Sequence, residues 1–498
     1  MKQNYNKPYK SEKTNKPERQ ERTDRPGKPG RPGKPGRPGK PGRAEKPDRP
    51  EKPGRYEKSG GWAKDSRPGK DSRMEKSNRT DRTGRMERPG RQEEHGRTEA
   101  AAASFARMLL GKTSTEVKKD EVEPLSRMDY NAEIKLKDEA FAEFWLLNRL
   151  PLKPEPVRRS PKPRHYRTTT KRRVVNLNGK FHLLFSENQR LTGENLFSYS
   201  DLEPEEHNAI YKFLLERINE PSFRLIGFNL NYIVLRGSYT EFSVIFNVHT
   251  LNSDIVRRLK ALSLLLQKLD VNIVSAFIYL DPTRSEYYLE NLRPKDQLNF
   301  KKLFGPDKLF IVINDKKYSF HPTSFSQVNQ SMIPVMLDLA KEMLAVDDKD
   351  ARLVDLFCGY GLFTHFLADN FSEATGIEAE GASVKSAIEN TPYFSHKSRI
   401  RFLAEKIDDS TMDNSLPGDG KPEVFLLDPP RQGTAEGVIK SITEREPLRV
   451  AHIFCGVDEI PRELKLWTNN GYRLKRAVPI DMFPGTPNLE VMLLFIPG

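Results

Sequence analysis

The last third of the sequence predicts an α/β fold on a doubly wound parallel sheet, preceded by an α+β region and a long basic tail. Three observations carry that reading. From about residue 351, short apolar strand-like segments alternate with amphipathic helical ones, the pattern that lays parallel strands side by side. Three of those strands end in an acidic residue beside a glycine or proline turn. The charge is also unevenly placed: residues 1–100 hold 30 Lys+Arg against 16 Asp+Glu, and residues 101–498 hold 53 of each sign. The whole formal net charge of +14 therefore sits in the first hundred residues.

A chain of 498 residues suggests two to four domains and a substantial core. Its two cysteines supply neither a disulfide framework nor a zinc constellation, which points to a reducing cytoplasm. The opening MKQNYNKPYK leads into no apolar stretch, so it is not a secretory signal, and no run approaches the roughly 18 apolar residues of a membrane span. A soluble cytoplasmic protein without a membrane partner is expected; the oligomeric state is unreadable.

Taken in order, residues 1–100 form a Pro/Gly-rich tail in which 25–42 repeat RPGKPG units. So few large apolar residues cannot offset the entropy of ordering, so disorder is expected. Cations spaced by Pro and Gly suit salt-sensitive contact with the phosphates of RNA. Residues 101–315 read as an α+β central domain. In it 130–150 has helix formers with clustered apolar residues, and Arg158–Arg173 is a second basic knot able to face nucleic acid. Asp201 is placed to cap a helix through about Arg217. FRLIGFNLNYIVLRGSYTEFSVIFNVHT has the β-branched and aromatic content of a hairpin or meander. Ser253–Leu269 has helical spacing, and SAFIYLD is strand-like. Residues 316–498 form the α/β domain, with strands at ARLVDLF, EATGIEA, EVFLLD and VAHIFC and helices between them. Two final strands, RLKRAVPIDMF and LEVMLLFI, have no helix between them and predict a closing antiparallel hairpin.

The chemistry gathers at the strand ends. Asp355-Leu-Phe-Cys-Gly-Tyr-Gly361 runs straight into a helix, and such a glycine turn lets backbone approach a ligand at the sheet's carboxyl edge. No third glycine follows, so a dinucleotide site is disfavoured. The next strand ends in Glu378, a carboxylate able to accept from ribose hydroxyls. A third ends in Asp428-Pro-Pro-Arg431-Gln-Gly433, where two prolines stiffen the chain behind the acid. Cys455 closes VAHIFC; as a lone residue it reads as a small core side chain before it reads as a nucleophile, and only its place at a late strand end behind the other motifs reverses that order.

Together these motifs resemble the RNA uracil-C5 methyltransferases, which make 5-methyluridine in transfer and ribosomal RNA. SFSQVNQ (Ser324–Gln330), DLFCGYG, GIE, LLDPPRQG, IFC and DMFPGTPNLE follow in that family's order over roughly 175 residues. The resemblance implies a class I (Rossmann-like) methyltransferase domain with S-adenosylmethionine as cofactor, contacted by Gln327, Phe357, Glu378 and Asp428. It implies Cys455 as nucleophile and Glu490 as general base, with Cys358 as packing and no metal. The sequence departs from the family at three places. Gly456-Val457 follows the cysteine where the family has Asn-Pro, Asn488 replaces a histidine, and Leu362 replaces an asparagine after the cofactor glycines. Many members hold an iron–sulfur cluster on cysteines near the N-terminus, which two cysteines placed elsewhere cannot supply. Two other readings stay open: a cytosine-C5 RNA methyltransferase, whose chemistry also adds cysteine to C6, and an RNA-binding homologue without turnover.

Overall fold

A computed structural model describes residues 104–113, 122–185, 197–284, 300–379 and 381–498. The basic tail, and the disorder expected of it, lie outside the described residues. Helix α1 (Phe105–Gly111) is followed by α2 (Tyr130–Leu147), which begins where the Asp129 carboxylate accepts from the Asn131 and Ala132 amides. Then come β1 (Thr169–Leu177), β2 (Lys180–Leu184), α3 (Glu205–Asn219), α4 (Arg224–Asn229), β3 (Leu230–Gly237) and β4 (Phe242–Val248). Helix α5 (Ser253–Leu266), β5 (Ile273–Leu280) and β6 (Phe300–Phe304) complete a six-stranded sheet of order β2-β1-β3-β4-β5-β6. Only β4 and β5 pair in parallel, with α5 as the crossover between them.

Two local expectations change here. The helix assigned to an Asp201 cap starts at Glu205, with Pro204 in the capping position, so no side chain caps it. The first part of the segment read as a hairpin is the helical turn α4; Ile226 buries there and Gly227 meets the Phe181 ring of β2. The antiparallel β3–β4 pair follows as expected.

A small hairpin, β7 (Leu309–Ile313) with β8 (Lys316–Phe320), and helix α6 (Ile333–Met343) lead into the second sheet. Its elements are β9 (Arg352–Leu356), α7 (Leu362–Leu367), β10 (Glu373–Glu378), α8 (Gly381–Asn390), β11 (Arg399–Ala404), α9 (Thr411–Ser415) and β12 (Glu423–Leu427). They continue through α10 (Val438–Thr443), β13 (Arg449–Phe454), α11 (Ile460–Asn469), β14 (Tyr472–Ile480) and β15 (Glu490–Pro497). The order is β11-β10-β9-β12-β13-β15-β14. Five strands run parallel, and β15 slots antiparallel between β13 and β14. That insertion sets the chemistry: with Phe454 opposite Val491, the first residue of β15 lies beside the residue that follows β13.

The core does not divide at residue 315. Phe105, Leu109, Phe141, Phe144 and Trp145 of α1 and α2 share one apolar core with Val354, Phe425, Trp467 and Phe495 of the second sheet and its helices. Apolar spacing had marked α2 as a helix but carries no information on which sheet it covers. Burying aromatic side chains of this size contributes on the order of 1.5–3 kcal/mol each. The six-stranded sheet has its own core around Leu214, Ile233, Phe246 and Leu259. It is an insertion whose two connections run side by side: Arg167 bridges Asn329, and the Thr168 amide donates to Val328 O at 2.9 Å.

Candidate active site

The carboxyl ends of β9, β10, β12 and β13 and the start of β15 open on one cleft of about 490 Å³. All six residues singled out from the sequence line it: Gln327, Phe357, Glu378, Asp428, Cys455 and Glu490. Cys455 stands between two carboxylates. Its Sγ lies 3.5 Å from Asp428 Oδ1 and 3.4 Å from Glu490 Oε1, so either carboxylate can accept its single proton. Burial pushes this thiol well above its ordinary range, and the charges of Glu490 and Asp428 push it further. The carboxyls rise too. Burial takes Glu490 up to about 8 with help from Asp428, and Asp428 up to about 7 with help from Glu378. Glu490 Oε2 is buried and has no hydrogen-bond partner among the described residues.

The turn after β9 is built from three chain reversals of hand. Phe357 has φ 65°, Gly359 φ 55° and Gly361 φ 82°, all left-handed. A phenylalanine held there is strained by roughly 1–3 kcal/mol, tolerated because its amide and that of Cys358 both donate to Ile377 O, at 2.9 and 3.1 Å. The reversal aims the Gly359 N–H at Glu378 Oε2, 3.1 Å away. In front of Gly359 there is open space, since a Cβ there would meet nothing within 4 Å. Asp355, the third strand-end acid, does not line the cleft; it accepts from Thr364 Oγ1 of α7 at 2.5 Å and braces the turn from below. Cys358 is buried behind the turn.

The loop from Asp481 to Glu490 is held by charges buried in α2. Lys137, fully buried, pairs with Glu133 at 2.8 Å and Asp481 at 2.6 Å, and its Nζ donates to Phe483 O at 3.3 Å. Glu133 Oε1 accepts from the Gly485 amide at 2.6 Å, and Glu133 Oε2 pairs with Arg164 at 3.0 Å. On the opposite wall, Asn329 Nδ2 donates to Met482 O at 3.1 Å, tying that loop to the Gln327 segment. Arg236 of β3 fixes the same segment through Pro322 O and, at 2.8 Å, Ser326 Oγ.

Gly456, the departure after Cys455, has a local reason. A Cβ there would lie 2.6 Å from Arg431 O, so the turn after Cys455 and the Pro429–Arg431 loop touch backbone to backbone. Its neighbour Val457 is buried in the core. Asn488 donates to Thr486 Oγ1 at 3.2 Å and does not line the cleft, and Leu362 is buried core. Sequence reasoning missed Arg167, Phe325, Ser383 and Phe483, which also line the cleft. Phe325 and Phe483 lay inside the quoted motifs, and Arg167 in the basic knot, but nothing in the spacing separated them from their neighbours. Arg167 Nε is buried with no partner among the described residues.

A parallel sheet with strand-end acids, a glycine turn and an antiparallel strand inserted near one edge defines a class I methyltransferase. Comparison with known proteins sharpens this. A family profile described as tRNA (Uracil-5-)-methyltransferase matches residues 129–496. An uncharacterized RNA methyltransferase of Enterococcus faecalis is 31% identical over 195 residues, 39% of this chain and 41% of that protein. A 23S rRNA (uracil(1939)-C(5))-methyltransferase of Pectobacterium atrosepticum is 35% identical over 178 residues, 36% of this chain and 39% of its own. The alignments thus span about two fifths of these curated relatives. The crystal structure of Pyrococcus abyssi tRNA (uracil-54, C5)-methyltransferase with S-adenosyl-L-homocysteine shares the fold, at TM-score 0.56 and 18% identity over 77% of this chain and 88% of that one. The chain belongs to the tRNA (uracil-5-)-methyltransferase family.

Proposed function

We propose that this protein is an S-adenosylmethionine-dependent RNA methyltransferase that makes 5-methyluridine in ribosomal or transfer RNA. The observation that carries the reading is the Cys455 thiol set between Asp428 and Glu490 in a cleft also lined by Gln327, Phe357 and Glu378. The open space before Gly359, the Glu378 carboxylate at the strand end and the unpartnered Glu490 Oε2 fit a cationic, ribose-bearing cofactor. Gln327, Phe357, Glu378 and Asp428 would hold it. When bound, it supplies an electrophilic methyl group and a positive charge.

The chain's own residues supply the rest. Cys455 loses its proton through one of its two carboxylate acceptors, and its sulfur bonds to C6 of uracil while the C5–C6 π pair moves to C5. Once C5 carries the methyl group, Glu490 takes the C5 proton. The freed pair re-forms C5–C6, the C6–S bond breaks, and the thiolate leaves. To reach this cleft a stacked uridine must turn out of its helix. The Arg158–Arg173 knot, and the tail over 1–100, would grip the RNA backbone. No helix of the described residues is long and apolar enough to cross a membrane, and two free cysteines, Cys358 and Cys455, accord with a cytoplasmic site of action. The test is a denaturation-resistant adduct between the protein and 5-fluorouridine RNA. The parent should form it and Cys455→Ala should not; a parent that forms none and methylates no cellular RNA would leave an RNA-binding protein.

A further inference from the structure

The six-stranded sheet carries a second cavity, larger than the catalytic one. It holds about 850 Å³ between the β1–β2 turn, Phe197 and Tyr199, and the outer side of α3. Lys180, Lys212 and Arg224 line it with a single acidic side chain, Glu216. Arg224 is fixed in place: Nη2 donates to Gly179 O, and the guanidinium lies 5.7 Å from the ring centres of both Phe181 and Phe228. Beside these cations two aromatic rings stand open to water, Tyr199 at 57% exposure in the lining and Phe228 at 53% next to it. Aromatic rings this exposed are scarce among the described residues; the others are Tyr393 and Phe325, and Phe325 lines the catalytic cleft.

Open rings interleaved with cations make a platform for unpaired nucleotides, because every base offers a π face and every linkage a negative charge. An acidic peptide would use the cations but leave the rings idle. The cavity also lies at a useful remove from the chemistry. Arg167, on the cleft, comes just before β1, and Lys180 just past its far end. Nine strand residues span about 30 Å. A single strand with one base in the cleft therefore reaches the cavity only through several flanking nucleotides.

We propose that this groove holds a single-stranded RNA segment flanking the target uridine, with a base stacked on Tyr199 and phosphates on Lys180, Lys212 and Arg224. The proposal rests on the RNA reading above. It is tested on the full chain at 150 mM salt (about physiological) with fluorescein-labelled oligouridines of increasing length, by anisotropy. Tyr199→Ala should weaken the longest oligomers about 5- to 100-fold, the range of one lost base–aromatic stack, and leave the shortest unchanged. Tyr199→Phe keeps the ring and should bind like the parent. A Lys180→Glu/Lys212→Glu variant should lower the salt slope for long oligomers by about 1.4, two single-strand phosphate contacts. Photocrosslinking of 4-thiouridine RNA should label the peptide that contains Tyr199. Parent-like affinities in the Ala and Glu variants together with no crosslink there would overturn the groove. The 5-fluorouridine adduct at Cys455 reports the catalytic reading separately. An adduct without groove effects sinks only this proposal, and groove effects without an adduct sink only the methylation.

Discussion

Replacing Glu490 by Gln should make Cys455 a better nucleophile toward a small alkylating agent while abolishing turnover. The thiol sulfur is 3.4 Å from Glu490 Oε1, and the thiol titrates above the about 8 at which Glu490 ionises, so it loses its proton against a full negative charge. At that separation one unit charge is worth about 1.2 kcal/mol in a water-like dielectric and about 5 kcal/mol at an effective value near 20. These correspond to about 0.9 and 3.6 pH units. Removing the charge stabilises the thiolate, so the midpoint should move down, by an amount between those bounds. The assay is the rate of iodoacetamide alkylation against pH, with peptide mapping to separate Cys455 from the buried Cys358. Asp428→Asn, at 3.5 Å, should act in the same direction. A midpoint that stays put or rises in both variants would refute the claim that these carboxylates hold the thiol protonated.

Other consequences concern stability and the loops. Glu490 is raised by burial, so its contribution to stability is present below its unfolded value near 4.5 and lost as pH rises through about 8. Urea unfolding should therefore show a smaller loss of stability between pH 6 and pH 9 in Glu490→Gln than in the parent. Lys137→Met leaves Glu133 and Asp481 without their shared cation and should cost about 3–5 kcal/mol in the same measurement. Gly456→Asn installs the family's residue where a Cβ would lie 2.6 Å from Arg431 O. We expect kcat to fall about 10- to 100-fold through the displaced loop, with RNA affinity within about twofold; an unchanged kcat would show that the contact is easily relieved.

The sheet, its closing antiparallel strands and the strand-end residues Glu378, Asp428 and Cys455 were legible because strand ends are local: an acid, a turn and an apolar run sit within ten residues of one another, whereas Gln327, Phe357 and Glu490 came with the resemblance of the motifs to a family. Membership of the cleft by Arg167 was not legible, since its position depends on a bridge to Asn329, 162 residues later. The same holds for Lys137. A lysine inside an amphipathic helix reads as solvated, and only its meeting with Asp481 shows that it is buried. Strand β11 escaped notice because its residues are only half covered and its pattern RIRFLA is weak, and α6 because Pro334 near its start reads as a break although it suits a helix's first turn.

The packing of α1 and α2 into the second sheet also governs when this protein can finish folding. The Tyr130–Asp481, Lys137–Asp481 and Glu133–Gly485 bonds each join residues about 350 positions apart. On a ribosome α2 emerges about 350 residues ahead of these partners. The inserted six-stranded sheet, whose contacts are more local, is free to fold in the interval. Until then α2 presents Phe141, Phe144 and Trp145 without the sheet that covers them. Removal of residues 479–498 would thus strike α2 as hard as β15, and Cys455 would be complete in sequence yet have no site to stand in.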